Sequence, residues 1–202
     1  MSTGVLATLT LPSGTTVIFK HGSVLDFKGD AFVNAANEGC VAGFGIDEIV
    51  NRSGGGDLIA ARKKLNGCKT GDAKCTASFN HTNTRFIIHA VGPVFRYNAL
   101  KDNYAVDSKE AQEVEKKREG LLVSSYQAAL QRAQENKVTS IGFCLLSAGV
   151  FRGVKSLQSV VDIACETLIS NVYSGLVELQ LFAYTQEEAN AVRQWTNAYM
   201  NI

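Results

Sequence analysis

The sequence lacks most features that mark secreted, membrane-spanning or nucleic-acid-binding proteins. Only 2 of its 202 residues are proline, and 20 Lys and Arg residues nearly balance 19 Asp and Glu residues, for a formal net charge of +1. Such a charge argues against binding nucleic acid through a broad basic surface. No apolar run approaches the roughly 18 residues that a membrane-spanning helix needs, and the first residues do not resemble a signal peptide.

The five cysteines do not form the pattern of a disulfide-rich or zinc-binding protein. They are Cys40, Cys68, Cys75, Cys144 and Cys165. Their number is odd and no two are spaced C-x-x-C, so neither a disulfide framework nor a zinc site is predicted. We therefore expect reduced thiols, no metal, no cofactor and a cytosolic or nuclear location. Cys144 and Cys165 lie in apolar runs and are predicted to be core residues.

The composition is that of a globular protein, with 46% hydrophobic and 19% charged residues, and the length favours a single domain over residues 1–202. Strands are predicted at residues 5–11, 15–20, 31–33, 85–91, 140–146 and 177–184. Helices are predicted at residues 46–51, 57–65, 108–136, 157–172 and 187–199. This alternation is typical of an α/β fold with a mostly parallel sheet covered on both faces. A flexible loop is predicted over residues 98–107.

The 18 glycines of the chain are concentrated after two of the predicted strands. One glycine-bearing loop includes Gly43 and Gly45, and the other includes Gly149 and Gly153. Ligands of open α/β sheets bind at the carboxyl ends of the strands, and backbone N–H groups at helix N-termini bind phosphate. The two loops therefore predict a cleft for a phosphorylated ligand, with aromatic walls.

The common nucleotide-binding and hydrolase motifs are missing. There is no G-x-x-x-x-G-K-[ST] sequence, and Gly43-Phe44-Gly45 is followed by Glu48 where a dinucleotide fingerprint requires glycine, so P-loop chemistry and dinucleotide redox chemistry are disfavoured. A G-x-S-x-G nucleophile elbow is also missing.

Six short motifs in a defined order resemble the macrodomain family. They are Gly-Ser-Val at 22–24, Val-Asn-Ala-Ala-Asn at 33–37, Gly-Phe-Gly-Ile-Asp at 43–47, Thr-Gly-Asp-Ala at 70–73, Ile-His-Ala-Val-Gly-Pro at 88–93 and Ser-Ala-Gly-Val-Phe at 147–151. The agreement extends from about residue 17 to about residue 195. The resemblance implies one macrodomain, a three-layer α/β/α sandwich with a mixed, mostly parallel six-stranded sheet, and ADP-ribose as ligand.

The resemblance also implies a catalytic set of Asn37, Asp47 and Phe151. Asn37 would contact the distal ribose through its amide, which can both donate and accept; alternatively, it caps the loop. Asp47 would activate or orient a water near the anomeric carbon; alternatively, it is a surface residue in the first turn of a helix. Phe151 would pack on the distal ribose; alternatively, it belongs to the core.

The same resemblance implies a larger set of ligand-binding residues along the two loops and at the adenine end. They are Ser23, Val24, Asn37, Gly43, Phe44, Gly45, Ile46, Ser147, Ala148, Gly149, Val150, Phe151, Arg152 and Tyr184. Arg152 would neutralise a phosphate or lie in solvent, and Tyr184 would stack on adenine or lie in the core. Asn34 and His89 are predicted to be structural.

Two departures from the family pattern bear on specificity. Ser23 stands where the family usually has an aspartate that accepts the adenine amino group, and Phe44 stands within what is usually a run of glycines. The expected activity is hydrolysis of ADP-ribosyl derivatives, namely removal of mono-ADP-ribose from acidic side chains or deacetylation of O-acetyl-ADP-ribose. The alternatives are a non-catalytic reader of ADP-ribosylated proteins and a phosphatase acting on ADP-ribose 1''-phosphate. ADP-ribose or an ADP-ribosylated protein is the expected partner of a monomer; no membrane or nucleic-acid partner is expected.

Overall fold

The computed structural model describes residues 4–41, 43–95 and 108–200. Its strands are β1 (Gly4–Thr10), β2 (Thr16–His21), β3 (Ala31–Ala35), β4 (Ala73–Ala77), β5 (Phe86–Ala90), β6 (Ser140–Cys144) and β7 (Glu178–Ala183). Its α-helices are α1 (Ile46–Lys64), α2 (Lys109–Glu135), α3 (Leu157–Ser170) and α4 (Gln186–Met200). Two 3₁₀ turns, Val24–Asp26 and Val150–Arg152, follow β2 and β6. The loop predicted over 98–107 lies outside the described residues.

The strands form one mixed sheet in the order β1-β2-β7-β6-β3-β5-β4. The inner pairings β2–β7, β7–β6, β6–β3 and β3–β5 are parallel, whereas β1–β2 and β5–β4 at the two edges are antiparallel. The predicted mixed, mostly parallel sheet is confirmed. The predicted number of six strands is wrong, because the sheet has seven. The missed strand is β4, whose sequence Ala-Lys-Cys-Thr-Ala has one β-branched residue and pairs only with β5 at the edge.

Helices cover the sheet on both faces, as the three-layer prediction requires. Successive residues of a strand point to opposite faces, so Val33 packs in the cluster formed with α2, α3 and α4, while its neighbour Phe32 packs with Val50 and Leu58 of α1. The inner strands are therefore buried on both sides, and their carboxyl ends open at one edge of the sheet. None of the helices in the described ranges is long and apolar enough to cross a membrane.

Helix α1 bends sharply at a run of three glycines. The sequence predicted two helices separated by Gly54-Gly55-Gly56, and the structure shows one helical stretch interrupted at Gly55, where φ is 76° and ψ is −172°. That conformation is essentially restricted to glycine. The bend lets the two halves of α1 fold towards each other, which brings residues distant along the helix into contact.

Candidate functional site

A cavity of about 670 Å³ opens at the carboxyl ends of β3, β6 and β7. This volume lies within the range of small-molecule sites, roughly 300–1,000 Å³. Its walls come from the segment after β2, the loop between β3 and α1, the loop after β6 and the start of α4. The edge predicted from the two glycine-bearing loops is thus where the structure places the cavity.

The structure brings nearly all predicted site residues together around this cavity. Every predicted ligand-binding residue except Arg152 lines it, and so do the three predicted catalytic residues. The lining residues that sequence reasoning did not identify are Gly22, Ala35, Ala36, Ile49, Gly92, Cys144, Leu145, Phe182, Thr185 and Glu188.

Arg152 braces the second loop instead of lining the cavity. Its Nε donates to the Ala148 carbonyl at 3.1 Å and its Nη1 donates to the Lys155 carbonyl at 3.1 Å. The guanidinium therefore cross-links the turn that carries Gly149 and Phe151. Its predicted contact with a ligand phosphate stays a prediction.

Two of the helical starts that line the cavity have no side-chain cap in the described chain. Gly45 precedes α1 and Gly149 precedes the second 3₁₀ turn, both without a side-chain cap. Side-chain oxygens cap the remaining helical starts, at Ser23, Ser108, Ser156 and Thr185. Uncapped N-terminal N–H groups carry partial positive charge and bind anions. These two starts are therefore the part of the cavity predicted to bind an anion, since its described lining contains no Lys or Arg.

Asp47 is buried, and one of its two carboxylate oxygens carries all the described contacts. Oδ1 lies 2.7 Å from Arg62 Nη1 and accepts from Asn34 Nδ2 at 2.5 Å. Oδ2 is buried without a hydrogen-bond partner among the described residues. A Cβ placed on Gly43 would lie 2.4 Å from Oδ2, so glycine is required there for the loop to lie against the carboxylate. At 1% exposure, Asp47 is not the surface residue that its position in a first helical turn also allowed.

Asn34 and His89 continue the polar network beneath Asp47. Asn34 Nδ2 also lies 3.2 Å from His89 Nδ1, and His89 Nε2 lies 3.0 Å from Thr76 Oγ1. Burial, helped by the charge of Arg62, lowers the pKa of His89 to about 3, so the ring is neutral. Nδ1 then accepts from Asn34 and Nε2–H donates to Thr76.

The other two predicted catalytic residues, Asn37 and Phe151, differ in which of their alternative roles the structure allows. Asn37 lines the cavity, and its Oδ1 also accepts from the Cys40 N–H at 3.1 Å, so it caps the loop while facing the ligand space. Phe151 is half-buried in the loop after β6, which excludes the core alternative. Tyr184 is 53% exposed and Phe44 is 87% exposed, so both aromatic rings stand at the mouth of the cavity.

The cysteines are free thiols with little nucleophilic character. Cys165 is buried in the core as predicted, whereas Cys144 is half-buried and also lines the cavity. Burial raises the pKa of Cys144 to about 12, which leaves it protonated at neutral pH. Across the described residues, no group of three His, Cys, Asp or Glu side chains is arranged to hold a metal ion.

Comparison with known proteins identifies relatives of this chain. The model of the Macro domain family matches residues 33–164. A macro domain-containing protein of Lactiplantibacillus plantarum is 31% identical over 160 residues, which cover 73% of this chain and 81% of that protein. The ADP-ribose glycohydrolase MACROD2 of Xenopus laevis is 33% identical over 135 residues, which cover 67% of this chain but only 28% of that protein.

Solved structures share the fold. The Trypanosoma brucei macrodomain in complex with ADP-ribose superposes with a TM-score of 0.74 at 26% identity, covering 89% of this chain and 68% of that one. The Oceanobacillus iheyensis macrodomain with ADP superposes with a TM-score of 0.81 at 20% identity, covering 100% and 99% of the two chains. At that identity the second match shows the fold alone.

Proposed function

The chain belongs to the macrodomain family, and on that premise we propose that it binds ADP-ribose and hydrolyses ADP-ribosyl derivatives. The reactions are removal of mono-ADP-ribose from acidic side chains and deacetylation of O-acetyl-ADP-ribose. One observation carries the proposal: the buried Asp47 carboxylate lies in the cavity wall, and its Oδ2 has no partner among the described residues. Asn37 and Phe151 line the same cavity.

The cavity offers a place for each part of ADP-ribose. The diphosphate would lie against the uncapped helical starts at Gly45 and Gly149. The adenine would lie at the end walled by Phe182 and Tyr184, where aromatic stacking is worth about 1 kcal/mol. The distal ribose would then lie near Asn37, with the anomeric carbon facing Asp47.

In the proposed reaction, Asp47 acts on a water. As Oδ2 takes a proton from the water, the water oxygen forms a bond to the anomeric carbon and the bond from that carbon to the modified carboxyl oxygen breaks. The side-chain carboxylate leaves with the bonding pair, and free ADP-ribose is released. In deacetylation Oδ2 takes a proton from a water that attacks the acyl carbon. The bond from that carbon to the ribose oxygen then breaks, the ribose oxygen receives the proton, and ADP-ribose and acetic acid, which ionises to acetate, are released.

The binding-only alternative is favoured by Phe44. This residue is a bulky, exposed aromatic ring in a loop next to Asp47, and a ring that covers the distal ribose would retain ligand and exclude water. A reader of ADP-ribosylated proteins would bind ADP-ribose tightly and release no product. MACROD2 supports hydrolysis only weakly, because this chain spans less than a third of that protein.

A turnover assay on mono-ADP-ribosylated protein tests the proposal. The wild-type protein should release ADP-ribose, and Asp47→Asn should lose on the order of 10²–10⁴ in rate while its ADP-ribose Kd, measured by calorimetry, stays nearly unchanged. Asp57→Asn, on the exposed surface of the same helix, is the control and should keep full activity.

Each other result has a defined meaning. Tight binding without release of product supports the reader. Release of phosphate from ADP-ribose 1''-phosphate supports the phosphatase. Unchanged turnover in Asp47→Asn rules out the role given to Asp47.

A further inference from the structure

We propose that Arg62 and Asn34 are positioning residues that hold Asp47 through Oδ1, so that Oδ2 is the oxygen left to accept the proton of the reacting water. The proposal rests on the hydrolase function, because it assigns a task to groups behind Asp47 that do not line the cavity. Neither residue would touch substrate.

Both residues hold the same oxygen of the carboxylate. Arg62 Nη1 and Asn34 Nδ2 lie 2.7 Å and 2.5 Å from Oδ1, and Oδ2 has no partner among the described residues. A carboxylate fixed through one oxygen by two donors cannot rotate without breaking both contacts. The arrangement therefore determines which oxygen is left to accept a proton and where it points.

Arg62 also supplies the counter-charge that a buried carboxylate needs. The side chains of Arg62 and Asp47 are 0% and 2% exposed, and an isolated buried charge is very costly or is neutralised by protonation. Arg62 therefore places an opposite charge directly against the buried carboxylate of Asp47.

Arg62 is itself anchored on two further sides. Its Nε donates to the Cys40 carbonyl at 2.8 Å, and its Nη1 donates to Asn51 Oδ1 at 2.6 Å. Asn51 in turn donates to the Val41 carbonyl at 3.0 Å. The guanidinium therefore ties the loop after β3 to both halves of α1, and its position relative to Asp47 is well defined.

The glycine bend in α1 makes this contact possible. Asp47 and Arg62 are 15 positions apart, and a straight helix would separate them by about 22 Å at 1.5 Å per residue. The break at Gly55 returns the second half of the helix towards the first. The glycine run that predicts a helix break in the sequence thus allows Arg62 to reach Asp47 from behind the cavity.

Asn34 is oriented from behind by His89. Because the Asp47 carboxylate oxygen is the acceptor, the Asn34 amide presents its NH₂ group to it, and the same group donates to Nδ1 of the neutral His89 ring. Thr76 fixes the ring from the other side at 3.0 Å. Thr76, His89 and Asn34 form a chain of contacts that ends on Oδ1 of Asp47.

Kinetics separate a positioning role from a merely structural one. We expect Arg62→Gln and Asn34→Ala each to lower kcat on mono-ADP-ribosylated protein on the order of 10²-fold, the cost typical of a misplaced reacting group. The ADP-ribose Kd should change by less than about threefold, because neither side chain lines the ligand space. Arg62→Lys, which retains the charge, should recover part of the lost kcat. Lys63→Gln, the exposed neighbour on the same helix, is the matched control and should behave as wild type.

Rates are divided by the folded fraction, measured by circular dichroism. If Arg62→Gln is unfolded, Asn34→Ala decides alone, since it leaves the ion pair in place. A kcat per folded molecule equal to wild type in the folded variants overturns the inference while the hydrolase function stands. A wild-type protein that binds ADP-ribose but releases no product overturns the hydrolase function, and the positioning role with it.

Discussion

The ion pair between Asp47 and Arg62 predicts an unusual stability profile. Replacing Asp47 by Ala leaves the guanidinium buried with Asn51 and the Cys40 carbonyl as acceptors but without a counter-charge. Breaking a buried pair from one side costs about 3–5 kcal/mol of unfolding free energy. In a chain of this size, 1 kcal/mol corresponds to about 2–4 °C in Tm, so Asp47→Ala should melt roughly 6–20 °C below wild type.

The double variant is the decisive comparison. Arg62→Met alone leaves the carboxylate buried beside Asn34 and should also cost about 3–5 kcal/mol. In Asp47→Ala/Arg62→Met both charges of the pair are removed together, so the double variant should be less destabilised than the sum of the two single variants. We expect a coupling of about 2–3 kcal/mol, at the upper end of the range for residues in contact.

Urea unfolding of the four proteins at pH 7 measures this coupling. If Asp47→Ala costs under about 1 kcal/mol, or the single costs add, then the charges are not buried against each other and the geometric reasoning fails. The result also guides the choice of activity variant. Asp47→Asn keeps the shape of the side chain and an acceptor for Arg62, which makes it a better test of catalysis than Asp47→Ala.

Three further predictions concern the bend of α1 at Gly55, recognition of the adenine by residue 23, and the buried His89. Gly55→Ala should cost about 1–3 kcal/mol in urea unfolding because of its backbone conformation, whereas Gly56→Ala, whose added Cβ meets nothing within 4 Å, should be neutral or stabilising; equal effects would contradict the bend. Ser23→Asp should keep the cap on Leu25 and tighten ADP-ribose binding about fivefold, because a charged acceptor is worth about 1 kcal/mol more than a hydroxyl. No such gain is expected for the hypoxanthine analogue, which lacks the amino group, and calorimetry with both ligands checks this. The pKa of His89 in the folded chain is about 3. Below pH 6.5 the unfolded chain therefore binds a proton that the folded chain does not, and the free energy of unfolding decreases as the pH is lowered. Between pH 6.5 and 4.5 this loss amounts to about 2–3 kcal/mol, and His89→Gln should lack it in urea titrations; parallel curves for the two proteins would contradict it. Asp30 and Glu38, whose pKa values are lowered by hydrogen bonds from Thr139 and Thr70, contribute equally to both proteins.

The sequence predicted the cavity well because its determinants are local. Loops that bind a ligand through backbone N–H groups need glycine at particular positions, and such glycines can be recognised in the amino-acid sequence. The uncapped starts at Gly45 and Gly149 follow from the same local pattern. Parallel strands place their carboxyl ends at one edge of the sheet, so residues 110 positions apart, such as Asn37 and Ser147, line the same cavity.

The groups behind the cavity could not be predicted in the same way. Arg62 lies among basic residues at the end of a helix, where Lys63 and Lys64 are exposed, and nothing local distinguishes it from them. Its burial depends on the bend at Gly55, seven residues before Arg62, and on an acceptor in a different loop, the Cys40 carbonyl. Glu188 was missed although a signal was present, since Thr185-x-x-Glu188 is a capping box that α4 forms. Strand β4 was missed because it is short, is at an edge and has little β-branched character.

The electrostatics of the cavity follow from where its charges are placed. The charged side chains in its described lining are the carboxylates of Asp47 and Glu188, an unfavourable environment for a diphosphate unless each is compensated. Glu188 accepts from the N–H groups of Tyr184 and Thr185 at the start of α4, and Asp47 is paired with Arg62. Because both carboxylates are engaged by the protein, the partial positive charge at the start of α1, about half a unit, and the N–H groups of the 3₁₀ turn after Gly149 would remain for an anionic ligand. A near-neutral chain is thereby compatible with an anionic ligand without a basic surface.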